Sequence, residues 1–391
     1  MAEAYLVGGV RTPVGRYGGA LAGVRADDLA ALVVGEAVRR AGLDPAAVDE
    51  VVLGAANQAG EDNRNVARMA ALLAGLPHEV SAYTVNRLCA SGLTAVANAA
   101  QAVKAGEADV VVAGGVESMT RAPWVMAKPG TPWAKPGEVH DTALGWRFVN
   151  PRHDAEHTIT LGETAERVAA LDGITREASD AYGLQSQERA AKAIADGAFD
   201  AELVAVPTAR GDVTADETPR ATSLDALAAL RPAFTKDGVV TAGTSSPLSD
   251  GASAVVVASE DAVRRLGLAP RARVVTGAAA GVEPQLMGLG PVPATQRALA
   301  RAGWSVAELD AVELNEAFAV QVLASARRLG LDLDTLNADG GAIALGHALG
   351  SSGCRMVVTL LGRLEREQAS RGLVTLCIGV GQGQALLVER V

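Results

Sequence analysis

Short apolar runs alternate along this chain with stretches in which Ala, Val and Leu recur every three or four positions. The runs at residues 4–10, 48–52, 83–86 and 109–113 read as strands, and the periodic stretches at 26–41, 65–73 and 92–105 read as helices. Ala26-Asp-Asp28 caps the first of these helices and Gly42 ends it. Past residue 244 the rhythm resumes with a buried strand at 252–258. A second series follows, with a strand near 273–275, a helix at 293–302, a strand at 311–314, helices at 317–329 and 355–367, and strands at 372–378 and 385–389. Helices alternating with near-continuous apolar strands predict α/β layers. Residues 120–244 interrupt this order. Pro123, Pro129, Pro132 and Pro136 punctuate a long loop that contains Trp124 and Trp133. Gly162-Glu-Thr-Ala165 then opens one helix, and 179–196 reads as another. An insertion of this kind on a layered core commonly holds substrate.

The two series repeat one another. Cys89-Ala-Ser-Gly92, an apolar helix and a strand ending in Val112-Ala-Gly-Gly-Val116 parallel Gly350-Ser-Ser-Gly353, an apolar helix and a strand ending in Cys377-Ile-Gly-Val-Gly381. The Ser-Gly pairs align, as in duplicated units. Duplicated halves can bring their strand and helix ends together in one crevice.

A length of 391 residues allows two or three domains with ample core. Nearly half of the residues are hydrophobic but only 3% are aromatic, so small side chains do the packing and helices must lie close on the sheet. The formal net charge is −10 and no basic block stands out, which argues against a nucleic-acid partner. An anionic ligand remains compatible, because local Arg residues and helix N-termini can hold one. Cys89, Cys354 and Cys377 cannot complete a disulfide framework and lack zinc-type spacing, so no metal is expected and a reducing compartment fits. The first ten residues lack a basic n-region and a long apolar h-region, and no apolar run reaches membrane-spanning length. The expectation is a soluble cytoplasmic protein with no membrane partner.

Chemistry concentrates at four element boundaries. Thr84-Val-Asn-Arg-Leu-Cys-Ala-Ser-Gly-Leu-Thr-Ala-Val96 runs from a strand into a helix with Cys89 at the bend. A thiol there faces the positive end of the helix, a field that favours thiolate. Glu313-Leu-Asn-Glu-Ala-Phe-Ala319 places Asn315 and Glu316 between a strand and a helix. His347 lies in a glycine-rich stretch, and Cys377 at a strand end with glycines just beyond. Each alone reads as an ordinary core residue or helix cap. Together, Cys and His supply a nucleophile and a base, a second thiol can move protons if its pKa is lowered, and glycines bare N–H groups for an oxyanion.

The sequence resembles the thiolase family over essentially its whole length. Val85-Asn-Arg-Leu-Cys-Ala-Ser-Gly-Leu93 is similar to the family's nucleophile motif. Gly114-Gly-Val-Glu-Ser-Met119, Asn315-Glu-Ala-Phe-Ala319, Gly340-Gly-Ala-Ile-Ala-Leu-Gly-His347 and Cys377-Ile-Gly-Val-Gly381 resemble the other signatures. The resemblance implies an α/β thiolase fold: two duplicated βαβαβαββ halves packed in five layers, α-β-α-β-α, with an inserted loop domain. The halves would be 1–119 plus 245–268 and 269–391, and the loop domain 120–244. It also implies a homo-oligomer, a dimer or a dimer of dimers. Within the family, the segments at 11–20, 56–65, 145–151 and 377–383 most resemble the β-ketoadipyl-CoA thiolases, while related acyl-CoA acetyltransferases share some of them. There are departures. Ala348 follows His347 where Pro is usual, Ala90 replaces a common Gly, Leu161 stands at a usual Met position, and Thr244-Ser-Ser-Pro247 differs from the commoner form.

In this resemblance His347 deprotonates Cys89, whose thiolate takes an acyl group from a 3-oxoacyl-CoA. Cys377 protonates the departing acetyl-CoA enolate. Asn315 holds a water at the enolate oxygen, and the N–H groups of Cys89 and Gly379 meet the tetrahedral oxyanion. No cofactor is permanently bound, and coenzyme A is a substrate. Ser246, Arg220, His157 and Phe318 match positions expected to contact CoA or substrate. For a terminal carboxylate on the acyl chain, Arg64, Arg68, Arg147 and His157 are the candidate partners. An acetoacetyl-CoA or general 3-oxoacyl-CoA thiolase, a ketoacyl synthase, and a non-catalytic acyl-CoA-binding member remain the alternatives. Cys377 argues against the synthase, and the intact Cys89, His347 and Cys377 argue against the binding protein.

Overall fold

The computed structural model describes residues 3–391. Its first half runs β1 (Ala4–Arg11), a two-residue β2 (Gly15–Arg16), α1 (Ala26–Arg40), β3 (Glu50–Gly54), α2 (Val66–Leu73), β4 (Ser81–Val85), α3 (Ser91–Ala105) and β5 (Val110–Ser118). The chain then passes through a hairpin of β6 (Trp124–Met126) and β7 (Val139–Asp141) and the helices α4 (Leu161–Asp172), α5 (Arg176–Ala195) and α6 (Leu224–Ala228). β8 (Ser249–Ser259) returns to the sheet and α7 (Glu260–Leu266) follows it. The second half comprises β9 (Pro270–Gly281), α8 (Pro291–Ala302), β10 (Ala311–Leu314), α9 (Ala319–Leu329), α10 (Ala342–Leu345), α11 (Leu349–Arg366), β11 (Arg371–Ile378) and β12 (Gln382–Arg390).

The strands lie in the order β4-β3-β5-β8-β1-β9-β12-β11-β10. β1 joins the halves. It pairs antiparallel with β8 and, through Tyr5, Leu6 and Val7, with β9. Gly8 and Gly9, at φ 65° and 117°, form the irregularity that lets one strand serve both neighbours.

Side-chain alternation sorts the apolar residues into separate cores. Val110 and Val112 of β5 and Ala254 and Val256 of β8 pack with α1 and α2, whereas Val111, Ala113, Val255 and Val257 pack with α3 and α11. In β12, Leu386 and Val388 join the α3/α11 core, while Ala385 and Leu387 join α8 and α9. Five layers result, α-β-α-β-α, with α3 and α11 in the middle, as the resemblance implied. The second half keeps the order of the first, but its third strand shrinks to one parallel bridge between Val312 and Leu336. There Asn337, at φ 50°, turns the chain and fixes itself to the backbone of Leu314 through both side-chain atoms.

The repeated Ser-Gly pairs explain why the central helices lie so close. A Cβ on Gly92 would stand 2.6 Å from the Gly350 carbonyl oxygen, and one on Gly353 would stand 2.3 Å from Leu93 N. The two helices therefore touch backbone to backbone at their N-terminal turns, which no larger residue permits. Gly350-Ser-Ser-Gly353 is the first turn of α11, so the helix begins at Leu349 rather than at 355. At α1, Asp27 and Asp28 lie in the first turn but cap nothing; the N-cap is Arg25, which makes no side-chain capping bond. Their contribution is a favourable interaction with the helix dipole.

The insertion is tied to the core by a buried ion cluster. Arg11 at the end of β1 is 1% exposed, bonds Glu202 through Nε, and grips Asp216 with both terminal nitrogens at 2.7 and 2.9 Å. Its guanidinium stacks on Phe199 at 5.0 Å. Arg11→Met would leave two buried carboxylates without their bonded partner and with only the nearby charge of Arg355. We expect a loss of about 3–5 kcal/mol in unfolding free energy, measured by urea titration; a loss under ~1 kcal/mol would show that the pair is dispensable.

No helix among the described residues is long and apolar enough to cross a membrane.

Candidate active site

Cys89 occupies a single 3-10 turn, Leu88–Ala90, between β4 and α3. The turn is tight enough to force Leu88 to φ 47°. Side chains of the motif hold it there: Asn86 Oδ1 accepts from Leu88 N at 2.9 Å, and Ser91 Oγ accepts from Arg87 N at 2.8 Å and donates to Leu88 O at 2.7 Å. Such strain at a non-glycine residue persists only where its surroundings impose it.

The strand carrying Cys377 brings a second thiol and a second tight turn to the same place. Cys377 is fully buried near the end of β11, and Val380 and Gly381, at φ 60° and 73°, reverse the chain into β12. Between them Gly379 lines the same cavity as Cys89, and its N–H and that of Cys89 favour the Cys89 thiolate. A Cβ on Gly379 would stand 2.9 Å from the Trp146 ring, so only glycine allows that ring to close over the turn. Trp146 is fixed in turn by its indole N–H, which donates to Ile159 O at 3.3 Å.

His347 lies between α10 and α11 and is 5% exposed. Ser352 Oγ donates to Ala348 O at 2.9 Å and stands 2.7 Å from His347 Nδ1, so Nδ1 carries the proton and Nε2 is the free base. Asn315 Nδ2 approaches that Nε2 at 3.4 Å. Asn315 is held by its own N–H on Thr375 O at 3.0 Å, on the strand that carries Cys377. Its Oδ1 is buried and has no partner among the described protein atoms. Leu349, just beyond His347, lines the same cavity as Cys89 and Gly379.

Electrostatics modify one expectation. Burial pushes the Cys89 thiol up to about 11, outweighing the two N–H groups that favour its thiolate. Burial, then the neighbouring Cys89, pushes Cys377 up as well. Burial, reinforced by the charge of Arg355, lowers His347 to about 3. The resting site therefore holds two protonated thiols and a neutral imidazole, not the thiolate that the helix position alone favours. Alkylation of Cys89 by iodoacetamide should accelerate by roughly tenfold per pH unit well past neutrality. A rate that levels off near pH 7 would mean that a thiolate is already present.

Four further residues complete the frame. Glu117, from Gly114-Gly-Val-Glu-Ser-Met119, accepts from Ala56 N, Asn57 N and Gly350 N at 2.9, 3.1 and 2.9 Å and so joins both halves beneath the site. Its burial raises its pKa to about 7. Glu316 is no helix cap. It accepts from Tyr182, Ser186, Asn337 and Ile343 N and locks α5 of the insertion onto the loop that leads to His347. Ser352 and Trp146 act as described above. No single-residue signal marked Ser352 or Trp146 in the sequence. Glu117 had one, a lone acid ending a continuous apolar strand.

The positions expected to contact CoA separate into two groups. Ser246 bonds Ala317 O through its N–H at 3.0 Å, next to buried Phe318, and the adjoining Leu248 bridges to His347. Arg220 lies on the exposed insertion with its guanidinium on Ala242 O, and His157 stands beside His153, 6.3 Å between ring centroids. None of the four lines the cavity beside Cys89.

Comparison with known proteins agrees with this frame. Residues 4–261 match the thiolase N-terminal domain and residues 268–390 the thiolase C-terminal domain. The chain belongs to the thiolase family. It is 53% identical to a beta-ketoadipyl-CoA thiolase of Escherichia coli, and 53% identical to the 3-oxoadipyl-CoA/3-oxo-5,6-dehydrosuberyl-CoA thiolase of Escherichia coli strain K12, covering 100% of both chains in each case. Among solved structures it resembles human mitochondrial 3-ketoacyl-CoA thiolase in complex with CoA, with a TM-score of 0.95 and 39% identity over 100% of this chain and 98% of that one.

Proposed function

We propose that this protein catalyses CoA-dependent cleavage of 3-oxoadipyl-CoA to acetyl-CoA and succinyl-CoA through an acyl-Cys89 intermediate. The observation that carries the proposal is one cavity lined by both Cys89 and Gly379, with Cys377 as the neighbouring buried thiol and His347 held by Ser352 between α10 and α11. The dicarboxylic substrate is supported by the names of the two bacterial relatives.

In the mechanism, His347 Nε2 takes the Cys89 proton as the sulfur attacks the 3-keto carbon. The tetrahedral oxyanion is met by the N–H groups of Cys89 and Gly379, each such donor contributing about 3 kcal/mol. The Cα–Cβ bond then breaks, leaving the acyl group on sulfur and its electron pair on the acetyl-CoA enolate. The imidazolium and a water on Asn315 Oδ1 stabilise the enolate oxygen. Cys377, kept protonated by burial, gives its proton to the enolate carbon. Its thiolate next takes the proton of the incoming CoA thiol, which attacks the thioester and releases succinyl-CoA. Cys89 regains its proton from His347.

CoA is proposed to approach past Ser246 and Phe318, with Arg220 on the insertion available to its phosphates. A homo-oligomer is proposed as well. Edge strand β4 leaves one ladder open and Tyr83 exposed, and the β6–β7 hairpin presents Trp124 and, on its connecting loop, Trp133, exposed by 74% and 100%. Light scattering should give twice or four times the chain mass, and a monomer would contradict this.

Chromatography of a reaction containing 3-oxoadipyl-CoA tests the activity. With CoA added, acetyl-CoA and succinyl-CoA should accumulate in equal amounts over many turnovers, and without it at most about one acetyl-CoA per active site should appear. Sustained turnover without CoA, or no product with CoA present, would rule out thiolysis.

A further inference from the structure

The cavity beside Cys89 has a volume of about 430 Å³. Apolar residues make up most of its wall, including Leu88, Trp146, Phe148 and Leu161. One cationic side chain lines it, that of Arg147. The other candidate partners for an acyl-chain carboxylate fall away on geometry, since Arg64, Arg68 and His157 do not line the cavity. Arg68 is engaged elsewhere, its guanidinium donating to Val80 O and His78 O at 2.6 and 3.1 Å.

Arg147 is half-buried and forms no ion pair among the described residues. Its side-chain contact is weak, a 3.4 Å approach to Asn57 Oδ1. Asn57 is itself held firmly, donating through Nδ2 to Thr142 Oγ1 at 2.9 Å and through its N–H to Glu117 at 3.1 Å. Glu117 is the one carboxylate on the wall, and its oxygens are occupied by three backbone N–H groups. The guanidinium is thus steered by a fixed amide and keeps most of its donors for something else. A cation in a largely apolar cavity without an ion-pair partner is stabilised by a ligand that brings one, and a planar guanidinium suits a carboxylate through paired N–H···O bonds.

We propose that Arg147 binds the distal carboxylate of a dicarboxylic 3-oxoacyl-CoA and sets the preference for such substrates over uncharged chains of equal length. Asn57 is the positioning residue that orients it. This rests on the thiolase reading above and adds the group that recognises the acyl end.

The test compares 3-oxoadipyl-CoA, 3-oxohexanoyl-CoA and acetoacetyl-CoA as substrates of the full-length wild-type protein, Arg147→Met and Arg147→Lys. One charge-assisted contact corresponds to about ten- to a hundredfold in kcat/KM. Arg147→Met should lose that factor on 3-oxoadipyl-CoA, mainly through KM, and keep or gain activity on 3-oxohexanoyl-CoA. Acetoacetyl-CoA, too short to carry the carboxylate, should be turned over as before. Arg147→Lys should retain part of the preference, and it decides the matter if the Met variant is unstable. Parallel losses on all three substrates would make Arg147 structural and overturn the proposal. A wild-type preference that survives in both variants would assign the carboxylate to another group. A wild type that cleaves acetoacetyl-CoA but does not prefer 3-oxoadipyl-CoA would overturn the substrate assignment while leaving the thiolase chemistry intact.

Discussion

Cys89→Ser is expected to lower CoA-dependent cleavage by about four orders of magnitude or more while leaving CoA binding nearly unchanged. The size follows from the resting protonation states. Burial already holds the thiol up to about 11, and His347 is a weak base lowered to about 3. Proton transfer therefore succeeds only in concert with attack, by a soft and strongly nucleophilic sulfur. A serine hydroxyl is far less acidic and less nucleophilic, and the same imidazole cannot activate it. The fold should tolerate the exchange, because the turn is held by Asn86 and Ser91 and not by the thiol. Calorimetry with CoA and steady-state kinetics would check both halves of the expectation. A variant with a tenth of wild-type activity would remove Cys89 from the nucleophile's role.

Cys377→Ala should reduce carbon–carbon cleavage by roughly 10²–10⁴-fold, the usual contribution of a positioned acid or base. Acylation of Cys89 by acetyl-CoA should continue slowly, because it needs the nucleophile and its N–H donors but no protonation of carbon. Cys377 is fully buried and packed with Met287, Ala317 and Phe318, so the smaller side chain also leaves a small cavity. A loss of about 1 kcal/mol in stability would accompany it without explaining a kinetic effect of that size. Comparison of acetoacetyl-CoA thiolysis with acyl exchange separates the two. Wild-type thiolysis in the variant would reduce Cys377 to a core residue.

Much of this arrangement is legible in the sequence, for physical reasons that can be named. Strand β10 falls at the expected residues, and α3 at nearly those expected, because apolar periodicity and the terminal Gly106 state them locally. The start of α11 is hidden, since Gly350 and Gly353 look like loop residues until α3 is seen lying against them. The β6–β7 hairpin is hidden as well. Its apolar residues face outward, so no alternation toward a core announces it. The shortened third strand of the second half depends on the side-chain bonds of Asn337, which no pattern of hydrophobicity records.

The site shows the same division. Cys89, Asn315, His347 and Cys377 stand at element boundaries as expected, because nearby glycines mark the boundaries at Cys89, His347 and Cys377 and the change from strand to helix pattern marks that at Asn315. Their protonation states are not legible in the sequence, since burial, which the helix-terminus argument omits, sets them. The tautomer of His347 hangs on Ser352, five residues along and on the next helix. Among the candidate cations for the acyl chain, composition cannot choose; only the lining of the cavity selects Arg147.

The central claim is that the acyl group passes through the sulfur of Cys89. Rapid quenching of the wild-type protein with 3-oxoadipyl-CoA in the absence of free CoA, followed by peptide mass spectrometry, tests it most directly. The peptide containing Cys89 should carry the mass of a succinyl group, and the label should vanish when CoA is added before the quench. A succinyl group found on Cys354 or Cys377 with Cys89 unmodified, or no covalent adduct in the absence of CoA, would contradict the account.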